Sequence, residues 1–234
     1  MEFETLVLAA STADLADADH PTAREHADAI EFRMDLASEP LAALSAYDAE
    51  LPIIATNRAA WEGGDAAAPS DPEGLATARL DALRSAVEHD AVGAIDVEVE
   101  TFRRDPAAGR ALREHAHDND AAVIASVHDF EATPSRELLR EYAEEATARG
   151  DVGKLATTAT DRGETLDLLA VTHEFAAAGE RVATMAMGEA GRHTRAVAPL
   201  YGSRIGYAPV DPAAATAPGQ YDLATLAETV ARLE

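Results

Sequence analysis

"AVIASVHDFEATPSRELLREYAEEATARGDVGKLATTA", residues 122–159, reads as strand, helix, strand. Its two ends are short apolar runs rich in Val, Ile and Ala, too short for helices and suited to buried strands. Between them, leucines and alanines recur at helical spacing behind Pro134-Ser135 and stop at Gly150, a start signal and a stop signal in the right order. The unit is therefore a βαβ crossover joining two parallel strands.

The alternation extends in both directions. Upstream lie "TLVLAA" (5–10), "AIEFRMDL" (29–36), "PIIATNR" (52–58) and "AIDVEVE" (94–100); downstream lie "VATMAMG" (182–188) and "SRIGYAPV" (203–210). A second clear amphipathic stretch, 71–90, opens at Asp71-Pro72, Gly179 closes the helix before the seventh run, and 222–233 ends the chain as a helix. Eight strand-like runs in 234 residues, with no linker or composition shift among them, predict one domain spanning 1–234. Such alternation folds either as an open doubly wound sheet or as a closed barrel. The count of eight, the length and the lack of a GxGxxG after the first run favour a single (β/α)8 TIM barrel.

Composition narrows the function. There are 43 acidic and 19 basic residues, for a net charge of −24 spread along the whole chain, so nucleic acid and anionic membrane surfaces are poor partners. No cysteine is present, which removes disulfides, thiolate metal sites and cysteine nucleophiles from consideration. Without a membrane-length apolar run or a basic leader at "MEFETLVLAAS", the expectation is a cytoplasmic protein. Acid excess with scarce lysine further suggests a cytoplasm at molar salt, where the self-repulsion is screened.

Barrel active sites sit at the C-terminal ends of the strands, and the polar residues gather there. The second run carries Glu31, Arg33 and Asp35 at alternate positions; the third ends in Arg58 ahead of Glu62-Gly63-Gly64; the fourth carries Asp96 and Glu98. The fifth ends in His128, the sixth holds Lys154, the seventh has Met185 and Met187 with Arg195 beyond, and "TAPGQ" (216–220) follows the eighth. Lys154 is the only lysine in a chain with 18 arginines. A chain that spares one primary amine points to a task arginine cannot perform. Burial beside Arg33, Arg58 or Arg195 would favour a neutral amine, which attacks a ketone and forms an imine. The protonated imine acidifies the neighbouring C–H bond, and His128 is suited to move that proton, with Glu62 orienting the imidazole. Arg58 and Arg195 suit a substrate carboxylate. These residues predict a Schiff-base lyase or aldolase acting on an anionic polyol ketone. A metal-dependent sugar isomerase using Glu31, Asp35, Asp96, Glu98 and His128, a class I aldolase and a non-catalytic binding barrel are the alternatives.

The same residues resemble a known family over almost the whole chain. "EFRMD" resembles E-x-R-x-D, "RAAWEGG" resembles R-x-x-x-E-G-G, and "IDVE" and "SVHDF" resemble its fourth- and fifth-strand signatures. "GDVGKLA", "MAMGEAGRHTR" and "TAPGQ" are similar to its lysine segment, its M-x-M-G…R segment and its closing loop, with Thr216 where serine is usual. The family is the type I 3-dehydroquinate dehydratases of the shikimate pathway, barrel enzymes that work as dimers without metal or cofactor. The resemblance implies conversion of 3-dehydroquinate to 3-dehydroshikimate by a homodimer. It implies Lys154 as the imine former, His128 as general base and acid, and Glu62 as its orienter. It places Glu31, Arg33 and Arg58 on the ring hydroxyls, and Arg195, Thr216 and Gln220 on the carboxylate.

Overall fold

A computed structural model describes residues 1–65, 72–211, 213, 217 and 219–233, so Thr216 of the closing loop lies outside the described residues. All eight expected strands form: β1 (Val7–Thr12), β2 (Ala29–Arg33), β3 (Ile53–Thr56), β4 (Val92–Glu98), β5 (Ala122–His128), β6 (Val152–Thr158), β7 (Val182–Met187) and β8 (Ile205–Ala208). Each from β1 to β7 pairs in parallel with the next, and β8 pairs with β1. The seam between β7 and β8 is closed by a single bridge, Val182 to Ser203, with Arg204 N–H donating to the Val182 carbonyl at 2.7 Å. Ser203 reinforces it by accepting the Thr184 N–H on its hydroxyl at 2.9 Å. The result is a nearly closed (β/α)8 barrel.

The helices between the strands are α1 (Pro21–His26), α2 (Pro40–Ser45), α3 (Pro72–Val87), α4 (Val99–Arg104), α5 (Pro106–Asp118), α6 (Arg136–Arg149), α7 (Arg162–Ala177), α8 (Gly188–Gly191), α9 (Thr194–Val197) and α10 (Leu223–Leu233). Local chemistry starts them. Ser135 accepts the Leu138 N–H at the head of α6, Asp105 caps α5 ahead of Pro106, and Asp161 and Glu164 form a capping box on α7. The long helices match the expected periodicity, whereas β1, β2 and β7 are followed by short helical pieces.

Strand alternation sorts the residues into an outer and an inner set. Outward residues such as Phe32, Ile53, Ile95 and Val97 pack with Leu83 and Leu112 of the surrounding helices. Inward residues stack in layers. The lower layer is apolar: Ala9, Ala29, Ile54, Ala94, Ile124, Val152, Ala183 and Ile205, one per strand, with Phe3 packed against them. Two residues further along each strand comes Ser11, Glu31, Thr56, Asp96, Ser126, Lys154, Met185 and Tyr207, all buried. The strands thus carry side chains from an oily floor to a polar layer in one step of the pleat.

Candidate active site

Above the floor a cleft of about 560 Å³, mouth included, opens at the C-terminal ends of the strands. It is lined by Lys154, His128, Glu62, Glu31, Arg33, Arg58, Arg195 and Gln220, all of them residues that the family resemblance nominated. Met185, Met187 and Tyr207 complete its walls. Asp35 does not line it; the carboxylate grips Arg33 through a two-pronged contact at 2.9 and 2.7 Å and so fixes that guanidinium from behind.

Lys154 occupies the centre. β6 places it in the polar layer, beside Ser126 of β5 in the strand register. Its Nζ donates to Asp96 Oδ2 at 2.8 Å, stands 4.0 Å from Glu31 Oε1 and lies 4.3 Å from the centre of the Tyr207 ring. Of Arg33, Arg58 and Arg195, one of which was expected beside the amine, none is its direct partner, which is a carboxylate. Arg58 binds the other oxygen of that carboxylate, Asp96 Oδ1, at 2.8 Å. Burial works against charge on Asp96, but Arg58 and Lys154 outweigh it and hold the carboxyl well below the usual range.

Arg58 also reaches Glu98 Oε1 at 2.9 Å, and Arg79 of α3 takes the other Glu98 oxygen at 2.8 Å. Arg58 thus lines the cleft with both carboxylates of β4 already on its guanidinium. Asp96 and Glu98 are each held between two cations, and Asp35 is held by Arg33, so the oxygens of the supposed isomerase metal set are already engaged. Among the described residues no three His, Asp or Glu side chains are grouped to hold a metal ion.

His128 sits one step of the pleat above Ser126, over the lysine on the neighbouring strand. Its Nδ1 lies 2.8 Å from Glu62 Oε2, which also accepts the His128 backbone N–H at 3.1 Å. An oxygen already accepting one N–H is best matched by a second donor, which assigns a proton to Nδ1 and leaves Nε2 bare. Glu62 reaches this position because the chain turns sharply behind it. Gly63 is left-handed at φ 76°, where a Cβ would strike the Phe130 ring, and a Cβ on Gly64 would lie 2.0 Å from the Arg58 carbonyl oxygen. Burial pushes the Glu62 carboxyl up to about 8, with Arg58 opposing and Glu98 and Asp96 adding to the rise. Burial, then Arg58 and Lys154, hold the imidazole well below 6.5. The two groups titrate as one pair, and the first proton taken up on acidification neutralises the carboxylate that holds the imidazole.

At the rim, Arg195 of α9 is buried; burial lowers it to about 10, opposed by Glu31 and Tyr221, so it stays cationic at neutral pH. Gln220 approaches from the closing loop, where its Oε1 accepts the Ala217 N–H at 3.1 Å. Ser11 donates to Glu31 Oε2 at 2.5 Å and fixes it. The sequence missed Arg79 and Tyr207. Arg79 looks like one more surface arginine of an amphipathic helix, and Tyr207 like one more aromatic in a strand; alternation marks which face each takes but not what waits there.

The arrangement combines an amine, a held imidazole and an anion-binding rim in one desolvated cleft. Comparison with known proteins gives the family. Residues 5–233 match the family described as Type I 3-dehydroquinase. A relative from Haloarcula marismortui named 3-dehydroquinate dehydratase is 55% identical over 236 residues, covering 100% of this chain and 99% of its own. One from Halobacterium salinarum with the same name is 52% identical over 235 residues, covering 100% of both chains. Among solved structures, 3-dehydroquinate dehydratase from Geobacillus kaustophilus superimposes with a TM-score of 0.83 at 24% identity, over 98% of this chain and 91% of its own. By sequence and by fold together, this chain belongs to the type I 3-dehydroquinase family, a family of lyases.

Proposed function

We propose that this protein dehydrates 3-dehydroquinate to 3-dehydroshikimate through an imine on Lys154, as a step of aromatic biosynthesis by the shikimate route. The observation that carries the reading is the buried amine, bound to Asp96 at 2.8 Å, on the floor of a cleft whose next layer holds His128 against Glu62. The ammonium and the substrate ketone give the protonated imine and one water: the Nζ–C bond forms, and the carbonyl oxygen leaves with two of the nitrogen-bound protons. The imine draws electron density from the adjacent C–H bond, whose proton passes to His128 Nε2. The same proton then goes to the leaving hydroxyl, which departs as a second water. Hydrolysis of the imine frees the conjugated product and restores the amine.

Arg195, Gln220 and Thr216 hold the substrate carboxylate in this reading, and Glu31, Arg33 and Arg58 meet the ring hydroxyls. The protein acts in the cytoplasm as a homodimer and needs neither metal nor cofactor; light scattering in molar KCl tests the dimer, and full activity in EDTA tests the metal. No helix among the described residues is long and apolar enough to cross a membrane. The deciding experiment adds 3-dehydroquinate and follows the ultraviolet absorbance of the conjugated product, then repeats the addition with borohydride. Absorbance growth and substrate mass on the peptide holding Lys154 are the expected results; label elsewhere, or none, overturns the imine.

A further inference from the structure

Tyr207 is buried in the polar layer, 4% exposed, and its hydroxyl has no hydrogen-bond partner among the described residues. Its ring lies against the Lys154 ammonium at 4.3 Å. A buried hydroxyl left without a partner costs stability, so its retention calls for a second state in which it is satisfied. That state follows from nitrogen chemistry. The resting ammonium has three N–H donors, one of them on Asp96 Oδ2, with Glu31 Oε1 at 4.0 Å. The protonated imine keeps one N–H, fixed in the plane of the C=N bond. Two carboxylates in a desolvated layer then lose donor capacity at the moment positive charge moves toward the substrate.

We propose that Tyr207 is a positioning residue that steadies the imine state, its hydroxyl donating to the carboxylate that Lys154 relinquishes while its ring stays under the cationic nitrogen. Burial first, then Glu31 and Asp96, push the phenol well above its ordinary range, which keeps it a neutral donor at any working pH. Glu31 and Asp96, the two carboxylates that face Lys154 Nζ at 4.0 and 2.8 Å, are buried in the same layer as Tyr207. The ring contributes in both states, since a cation over an aromatic face is attracted whether it is ammonium or iminium. The hydroxyl contributes only after the imine forms.

This role rests on the imine at Lys154, and the test separates the two. Tyr207→Phe keeps the ring and deletes the hydroxyl. Turnover of 3-dehydroquinate is expected to fall roughly ten- to hundredfold, the worth of one hydrogen bond to a charged group. The fraction of enzyme trapped by borohydride at saturating substrate should fall with it, while Tm holds or rises because an unsatisfied group has been removed. Wild-type values of either turnover or trapped fraction overturn the role of the hydroxyl, and so does a Tm that falls in step with turnover. Absence of label at Lys154 in the unmutated enzyme would instead bring down the imine itself, and this role with it.

Discussion

Charges in the barrel mouth and charges on the outer surface are built from the same residue types and behave in opposite ways. In the mouth, Asp96 and Glu98 are fully buried and each lies within 2.9 Å of two cations drawn from Arg58, Arg79 and Lys154. Outside, pairs such as Arg24–Asp19 and Arg232–Glu228 are more than half exposed, and with 43 acids against 19 bases most carboxylates have no cation to meet. Buried pairs are desolvated, matched and little screened, so removing one partner strands the other. Exposed ones are worth little singly and respond to salt collectively. Electrostatics here is local and chemical inside, global and colloidal outside.

The sharpest way to break that contrast is Lys154→Arg. It conserves the charge and the contact with Asp96, yet guanidinium supplies no neutral nucleophile. Activity and borohydride labelling are both expected to vanish while the fold persists by circular dichroism; measurable turnover would make the inner charge merely structural.

His128→Ala comes next. Loss of a positioned acid–base group lowers kcat by about 10²–10⁴, or more where one group serves several steps. Trapping at Lys154 should survive, since imine formation depends on the amine first. Loss of the label along with turnover would merge two roles that the geometry separates.

Glu62→Gln is milder. The amide still accepts from Nδ1 but without charge, so turnover should fall roughly ten- to hundredfold. The acid limb of the kcat/KM profile tests the sign. In the native pair, burial raises Glu62 to about 8, so activity climbs with pH as the pair gives up its extra proton. In Glu62→Gln only the imidazole titrates, and burial holds it well below 6.5, so the limb must move to lower pH. A limb that stays put would remove Glu62 from the pair.

Outside the mouth, the effect is collective. A net charge of −24 destabilises the compact state unless it is screened, so the thermal midpoint should rise from low to molar KCl. A salt-independent midpoint would erase the distinction drawn here. The smallest effect belongs to a single surface pair: Arg24→Ala should change stability by about 0–1 kcal/mol, read by thermal unfolding in molar KCl.

Much of the inner region is legible in the chain. Period-two alternation puts Asp96 and Glu98 on one face of β4 and sends Val97 to the helices. The sharp turn at Glu62-Gly63-Gly64 and the lone Lys154 stand out because glycine and lysine are chosen for properties no other residue shares. Pairings across strands are less legible. That Lys154 meets Asp96 instead of an arginine depends on how β4, β5 and β6 are staggered, with Ser126 beside Lys154 and Ile124 beside Asp96. Alternation along one strand carries no information about that stagger.

By itself the sequence determined the eight-unit barrel, the end of it where the polar side chains gather, and Lys154, His128 and Glu62 as residues that meet there. These follow from local periodicity and from residue types whose chemistry is not shared. Only the tertiary structure decided that Arg79 reaches inward from α3 to Glu98, that Arg58 pairs with two carboxylates, and that the Tyr207 hydroxyl is buried beside the amine without a partner among the described residues. The reason is geometric. A strand fixes which side a residue faces, whereas neighbours across the barrel are set by closure and stagger of all eight strands together.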